Sequence, residues 1–311
     1  MLLINIAAGV ALMLFGVRFL RKGLDRLFGR SLHTWLDRIA HSRGRAAFAG
    51  ACVGIVAPSS TAQTLLSLQL LGSGRLSIER TLVFLLAANA GISATVQLIA
   101  LRVFDYFGVF LVPGLAGFYL LRSPRRRGAA QVCLALGFIF LGMNLVSEQA
   151  RELAAGPTFA TLLGLLAEQS VMVALLAAGF TVACQSSTAC IGLALGLTAS
   201  GHVSLALLVP VIVGANLGMG VTSVLASYTT REGRWLGAMN LGLKTVLAVA
   251  ALAALQSLTA LLANTPGDLT RQAANFHTAF GLAVAALGFA LARPLGALAR
   301  RELNRHRTDA A

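Results

Sequence analysis

Apolar runs separated by short clusters of arginine recur from one end of the chain to the other. That alternation constrains the fold more than any single motif. Runs such as MLLINIAAGVALMLFGV at the start, or LALLVPVIVGANLG from Leu205, carry no charge at all. In hydrocarbon the backbone has to satisfy its own N–H and C=O groups, so such runs become helices. Charged residues make up only 12% of the chain, against about 25% in an average soluble domain. A soluble globular class is excluded. The expected fold is all-α, a polytopic membrane protein in contact with the lipid bilayer.

The net charge of +14 raises the question of nucleic acid. The arginines, however, fall in short connections between apolar runs and are not interleaved with aromatics. They read as cytoplasmic anchors, and no nucleic-acid partner is expected. Clusters at Arg18–Arg45, Arg75–Arg80, Arg122–Arg127, Arg231–Arg234 and Arg293–Arg307 mark one face. Acidic or neutral connections at Asp105, Glu148–Glu152 and Asn264–Asp268 mark the other. Joining them gives seven crossings, at about 2–17, 81–101, 107–121, 129–147, 204–227, 236–262 and 273–292. The tracts at about 46–73 and 159–200 each enter and leave on one side, as re-entrant helical hairpins. This path puts the N-terminus outside and the C-terminus in the cytoplasm, with the chain multi-pass in the cell inner membrane. The first run lacks the basic n-region and cleavage site of a signal peptide and is read as a retained span.

Cys52, Cys133, Cys184 and Cys190 stand in apolar runs without CxxC spacing, and His33, His41, His202, His277 and His306 are scattered. Small buried thiols and isolated imidazoles are expected, with no metal and no cofactor.

One apolar tract contains Gln185-Ser186-Ser187-Thr188. A buried hydroxyl or amide without a partner costs about 1–3 kcal/mol, so four in a row require internal partners or a polar ligand. A second copy exists. Ala57-Pro58-Ser59-Ser60-Thr61-Ala62 matches Cys184–Ala189, with Ser59 aligned on Ser186. The same offset pairs Gly74 with Gly201, Ser77 with Ser204, Ala88 with Ala215, Asn89 with Asn216 and Thr95 with Thr222. The chain therefore divides into a first repeat (1–106), a connecting span and basic loop (107–128), a second repeat (129–230), and two last spans with a basic tail (231–311). Each repeat reads as span, loop, polar-tipped hairpin, turn, and a span with a buried Asn. The loop charges orient the two oppositely, as an inverted-topology repeat. Transporters use that symmetry to build a midplane site that opens to each side in turn. The SST turns at the hairpin tips would aim helix N-terminal N–H groups at an anion. Neither Ser59 nor Ser186 has a His, Lys or carboxylate in its motif, so no catalytic residue is assigned and an enzyme is not expected.

At these residues the chain resembles the type II sodium–phosphate cotransporter family. Members carry a QSSS-type hairpin motif in each half, followed by a span with a GANIGTTVT-like motif. Here the second half has Gln185-Ser186-Ser187-Thr188 and then Gly214-Ala215-Asn216-Leu217-Gly218-Met219-Gly220-Val221-Thr222. The opening GVALMLFGVRFLRKGLDRLFG looks like the family's first span and basic connector, and NFHTAFG at Asn275–Gly281 like a late-helix segment. The resemblance covers essentially the whole chain, without the C-terminal regulatory domain of many bacterial members. It implies a sodium-coupled importer of inorganic phosphate. Substrate contacts would come from Ser59, Ser60, Thr61, Gln185, Ser186, Ser187, Thr188, Asn89 and Asn216. Ser93, Thr95, Thr222 and Ser223 would offer oxygens to sodium, a hard cation. The chain departs from the pattern at Pro58, where the first Gln belongs, at Ala87, where a Gly belongs, and at Ile92-Ser93 and Met219-Gly220, where paired Thr belong. Another small anion, or proton coupling, therefore stays open as an alternative. A non-transporting membrane scaffold is a further one. Lys244, inside an apolar span, is expected to snorkel to the cytoplasmic face.

Overall fold

The computed structural model describes residues 2–39, 42–101, 106–154 and 157–308, and every regular element among them is helical. The elements are α1 (Leu2–Ile39), α2 (Arg43–Val56), α3 (Ser60–Gly72), α4 (Ile78–Gly91), α5 (Ser93–Ile99), α6 (Phe107–Leu120) and α7 (Pro124–Ala154). There follow α8 (Pro157–Glu168), α9 (Ser170–Cys184), α10 (Ser187–Leu197), α11 (Leu205–Ser227), α12 (Arg231–Ala253), α13 (Leu255–Ala263) and α14 (Leu269–Thr308). Among the described residues six stretches are long and apolar enough to cross a membrane: Ile4–Leu27, Ile78–Ile99, Pro124–Gln149, Leu205–Ser227, Arg231–Ala253 and Leu269–Leu303. The pair Thr161–Glu168 and Ser170–Cys184, bent by 101°, makes up to seven if it is counted as one span. The protein is a multi-pass, all-helical membrane protein. Val112, Tyr119 and Leu120 on α6 and Val171 and Leu175 on α9 are exposed, the belt expected where hydrocarbon replaces water.

Several expected boundaries move. The first span does not stop at residue 17, because Leu20, Leu24 and Leu27 continue the helical period through the basic segment and α1 runs unbroken to Ile39. Arg26 on that extension donates to Gln131 Oε1 (2.5 Å), and Gln131 donates to the Phe19 carbonyl (3.0 Å), which fastens α1 to α7. The tract at 159–200 is three helices, not two, with the hairpin corner at Gln185. The span expected at 236–262 breaks at Ala254. The stretch at 107–121 forms a helix of 14 residues, shorter than a full crossing. Asp105 lies outside the described residues.

Small residues set the interhelical distances. Along α1, Gly9, Gly16 and Gly23 recur every seven residues against α7, and a Cβ on Gly9 would stand 2.8 Å from the Gly142 carbonyl oxygen. The two repeats share one such contact. A Cβ on Gly91 would collide with the Ala51 oxygen, and one on Gly218, the equivalent position of the second repeat, would meet the Ala178 oxygen at 2.6 Å. In each repeat the incoming arm of the hairpin thus packs backbone to backbone on the following span. The outgoing arms reach the other repeat: α3 packs on α11 and α10 on α5. Ile139, Phe140 and Met143 of α7 belong to the main core, while Phe84 of α4 packs in a smaller one with Ala46, Ala49 and Val53 of α2.

Candidate substrate site at the hairpin tips

The second tip is built around a strained corner. Gln185 adopts φ 52°, ψ 35°, and among the described residues no other non-glycine has a positive φ. That left-handed conformation costs a side-chain-bearing residue about 1–2 kcal/mol. Its N–H donates to the Thr181 carbonyl, closing α9. The chain then turns at once into α10, where Ser186 Oγ accepts from the Ala189 N–H at 3.2 Å as N-cap. A capping hydroxyl uses a lone pair and keeps its own proton for another acceptor. The first-turn N–H groups of α10 add partial positive charge. Gln185 is exposed, contrary to the expected span interior, because its corner opens on a cavity of about 50 Å³ lined by Leu14, Val17, Arg18, Cys184, Gln185 and Ser186. That is room for a few water molecules or one small anion. By its place in the first basic cluster Arg18 reads as part of a cytoplasmic loop. The unbroken α1 carries it instead to the second tip, where a guanidinium suits a tetrahedral oxyanion.

The first tip is closed. Pro58 and Ser59 join α2 to α3, and Pro58 cannot take the left-handed corner of Gln185 because its ring locks φ in the negative region. Ser59 caps α3, accepting from Ala62 N–H at 3.3 Å. Ser59 is 8% exposed and Ser60 6%. Gln63, one turn into α3, folds back so that its amide nitrogen donates to the Ala57 carbonyl at 3.1 Å. The amide missing at position 58 thus returns to the tip from position 63. Gln63 is 1% exposed, and its Oε1 is buried without a partner. Thr64 Oγ1 donates to Ser60 O (2.9 Å) and shares a 3.0 Å hydrogen bond with Ser223 Oγ, tying the first tip to α11.

The remaining candidates divide. Ser187 and Thr188 are buried in the first turn of α10, and Thr61 is half-buried in that of α3. The Ser93 hydroxyl donates back to Ala90 O at the end of α4 (2.7 Å), and that of Thr222 to Gly218 O of its own helix (2.9 Å). Thr95 is buried on α5. Asn216 likewise donates to Ile212 O of its own helix (2.9 Å), whereas Asn89 reaches across to Asn240 Oδ1 (3.4 Å). Asn89 Oδ1 and Asn240 Nδ2 remain buried and unpartnered. Lys244 does not snorkel. It is 2% exposed and lies about 20 Å along α12 from Arg231 at 1.5 Å per residue, beyond the reach of its side chain. The NFHT segment has a packing role: Gln97 donates to Thr278 Oγ1 (2.9 Å) and Asn275 Oδ1 (3.2 Å) and accepts from Arg271 (2.7 Å), joining α5 to α14.

Arg18, Gln63 and Asn240 are the residues that sequence reasoning passes over. Only the amide at 63, five positions after the proline, left a readable signal.

The family model described as Na+/Pi-cotransporter matches the chain twice, over residues 12–148 and 142–291. "Putative inorganic phosphate export protein YjbB" of Escherichia coli O157:H7 is 28% identical over 224 residues, 72% of this chain and 41% of that protein. The protein of that name from Salmonella typhimurium aligns over the same shares at 28%. "Uncharacterized protein YqeW" of Bacillus subtilis is 26% identical over 227 residues, 73% of this chain and 74% of that one. The chain spans about two fifths of the length of the YjbB relatives. No solved structure matches it. The double match falls on the two polar-tipped hairpins and the spans that follow them, and on that ground the chain belongs to the Na+/Pi-cotransporter family.

Proposed function

We propose that this protein moves inorganic phosphate across the membrane by alternating access, with sodium as the coupling ion. One observation carries the reading. At the second tip Arg18, the Gln185 amide, the Ser186 hydroxyl and the N-terminus of α10 converge on one small cavity, a set of donors with no carboxylate among its lining residues. The first tip, with Ser59, Ser60 and Gln63 buried, is its occluded counterpart. The constant offset between the two tips, the two family matches and the exchange of outgoing arms support an inverted repeat. The arginine clusters support an N-terminus outside and a C-terminus in the cytoplasm of the inner membrane. Ser93, Thr95, Thr222 and Ser223 are the hydroxyl oxygens offered to sodium, and a hydroxyl that donates to a carbonyl still has lone pairs for a cation. A second reading, net export, is favoured by the name of the YjbB relatives.

Proteoliposomes test both. Labelled phosphate should enter vesicles under an inward sodium gradient and should not enter with potassium or protons alone. Flux driven by a proton gradient without sodium would overturn the coupling, and flux only out of sodium-loaded vesicles would establish export.

A further inference from the structure

Lys244 has no part in the site described so far. It is 2% exposed on α12, and no hydrogen bond or ion pair to it is present among the described residues. Two polar side chains lie near it. Asn240, one turn earlier on the same helix, is 0% exposed and bonded to Asn89 of α4. His277 of α14, 4% exposed with an unpartnered Nδ1, lies within electrostatic range. No Asp or Glu is among the buried residues described. The lysine therefore stands among described buried residues that supply no counter-charge, an arrangement costly unless a charge arrives from outside.

The stem of Lys244 runs beside Gly220 of α11. A Cβ on Gly220 would crowd Leu241 Cδ1 at 2.8 Å and touch Lys244 Cδ at an ordinary contact distance of 3.5 Å, so a side chain at 220 would lie against the lysine stem. In the motif that this segment resembles, a threonine hydroxyl stands at that position. Here the hydroxyl is gone and the stem of a lysine packs beside that position. One turn along the same side of α11, Ser223 bonds to Thr64 of the first-tip helix.

We propose that Lys244 is a resident counter-cation for the transported oxyanion, filling the place of one coupling sodium. The inference rests on the function proposed above and narrows it. An ammonium supplies what a hydroxyl and a bound sodium supply together, positive charge with a hydrogen-bond donor, but it stays with the protein. The transport cycle then carries one cation fewer, and anion binding keeps part of its strength when sodium is withdrawn.

Equilibrium phosphate binding to the purified full chain, titrated with sodium, tests this. K244M and K244Q should each weaken phosphate binding about tenfold or more at low sodium. The slope of log affinity against log sodium should steepen by about one ion, so that high sodium recovers much of the loss. K244R, which keeps the charge, should keep the wild-type slope, and G220T placed in K244M should improve sodium's recovery further. A folded K244M or K244Q with wild-type affinity and slope overturns the resident cation, whatever happens to transport. A wild-type protein that binds no phosphate, sulfate or arsenate at any sodium concentration overturns the functional reading, and this inference with it.

Discussion

The two hairpins descend from one pattern and have become different devices. The second keeps its amide at the corner, in a left-handed conformation, exposed and beside Arg18. The first has a proline at the corner, a buried tip, and an amide displaced to Gln63. A proline removes more than a side chain here. It removes an N–H and forbids the positive φ that the other corner uses. Duplicated sequence therefore gives duplicated helices and an unequal pair of tips, one poised to receive a ligand and one closed over its own hydrogen bonds.

The harshest way to break the comparison is to impose the first corner on the second. Gln185→Pro loses the N–H bond to Thr181, cannot reach φ 52°, and drives Cys184 out of the helical region. It should destabilise the protein by about 3 kcal/mol or more. Thermal unfolding of the purified protein reads this directly. Gln185→Gly should do the reverse, gaining up to about 1 kcal/mol because glycine adopts that corner freely. A corner indifferent to both changes would show that the left-handed turn is not a constraint on the fold.

Next in size are the effects on flux. Arg18→Ala and Gln185→Ala should each lower the rate of labelled phosphate transport about tenfold or more, equivalent to about 1.4 kcal/mol. Pro58→Ala should change it less than about twofold, since no amide is lost there. Equal effects at 58 and 185 would remove the asymmetry.

A gentler probe sharpens it. Gln63→Met keeps the volume and removes the amide from the closed tip. The Ala57 carbonyl would lose one of its two donors and keep the Ser59 N–H, while a buried orphan acceptor would disappear, so stability should change by less than about 1 kcal/mol. If Gln63 Oε1 serves the ligand, phosphate affinity should still fall roughly threefold to tenfold, under about 1.4 kcal/mol. Unchanged affinity in a stable variant would confine the residue to packing.

The sequence made the class, the hairpins and the repeat legible because each depends on local chemistry: apolar run length, polar tips, and matched residues at constant offset. What it hid depends on three dimensions. Arg18 reaches Gln185 only because α1 continues as a helix past residue 17, where charge density reads as a loop. Lys244 is buried where helices from distant parts of the sequence pack together, its stem beside Gly220 of α11. Ser93 and Thr222 read as cation ligands by composition, and the sequence does not show that each hydroxyl proton goes to a carbonyl one turn back, which leaves only the oxygen lone pairs for a cation.

The smallest expected effect separates the two asparagines that the repeat places in register. Asn89 and Asn216 occupy equivalent positions in α4 and α11, and sequence alone gives them equal standing. Their bonds differ. Asn216 donates to the Ile212 carbonyl of its own helix, which an alanine there would leave paired within the helix. Asn89 donates across to Asn240, whose own amide nitrogen already lacks a partner. Interhelical hydrogen bonds inside membranes average about 0.6 kcal/mol, because the separated helices also find partners. Asn89→Ala should therefore destabilise by about that amount, somewhat more if Asn240 is left wholly unpaired. Asn216→Ala should stay within about 0.5 kcal/mol of wild type, as at a site without a special contact. The double variant Asn89→Ala with Asn240→Leu completes the test. An apolar replacement of both partners removes the orphaned groups, so its stability should return toward wild type. If Asn89→Ala and Asn216→Ala prove equally mild, and the double variant shows no recovery, the two halves are energetically alike at these positions and the asymmetry is confined to the tips.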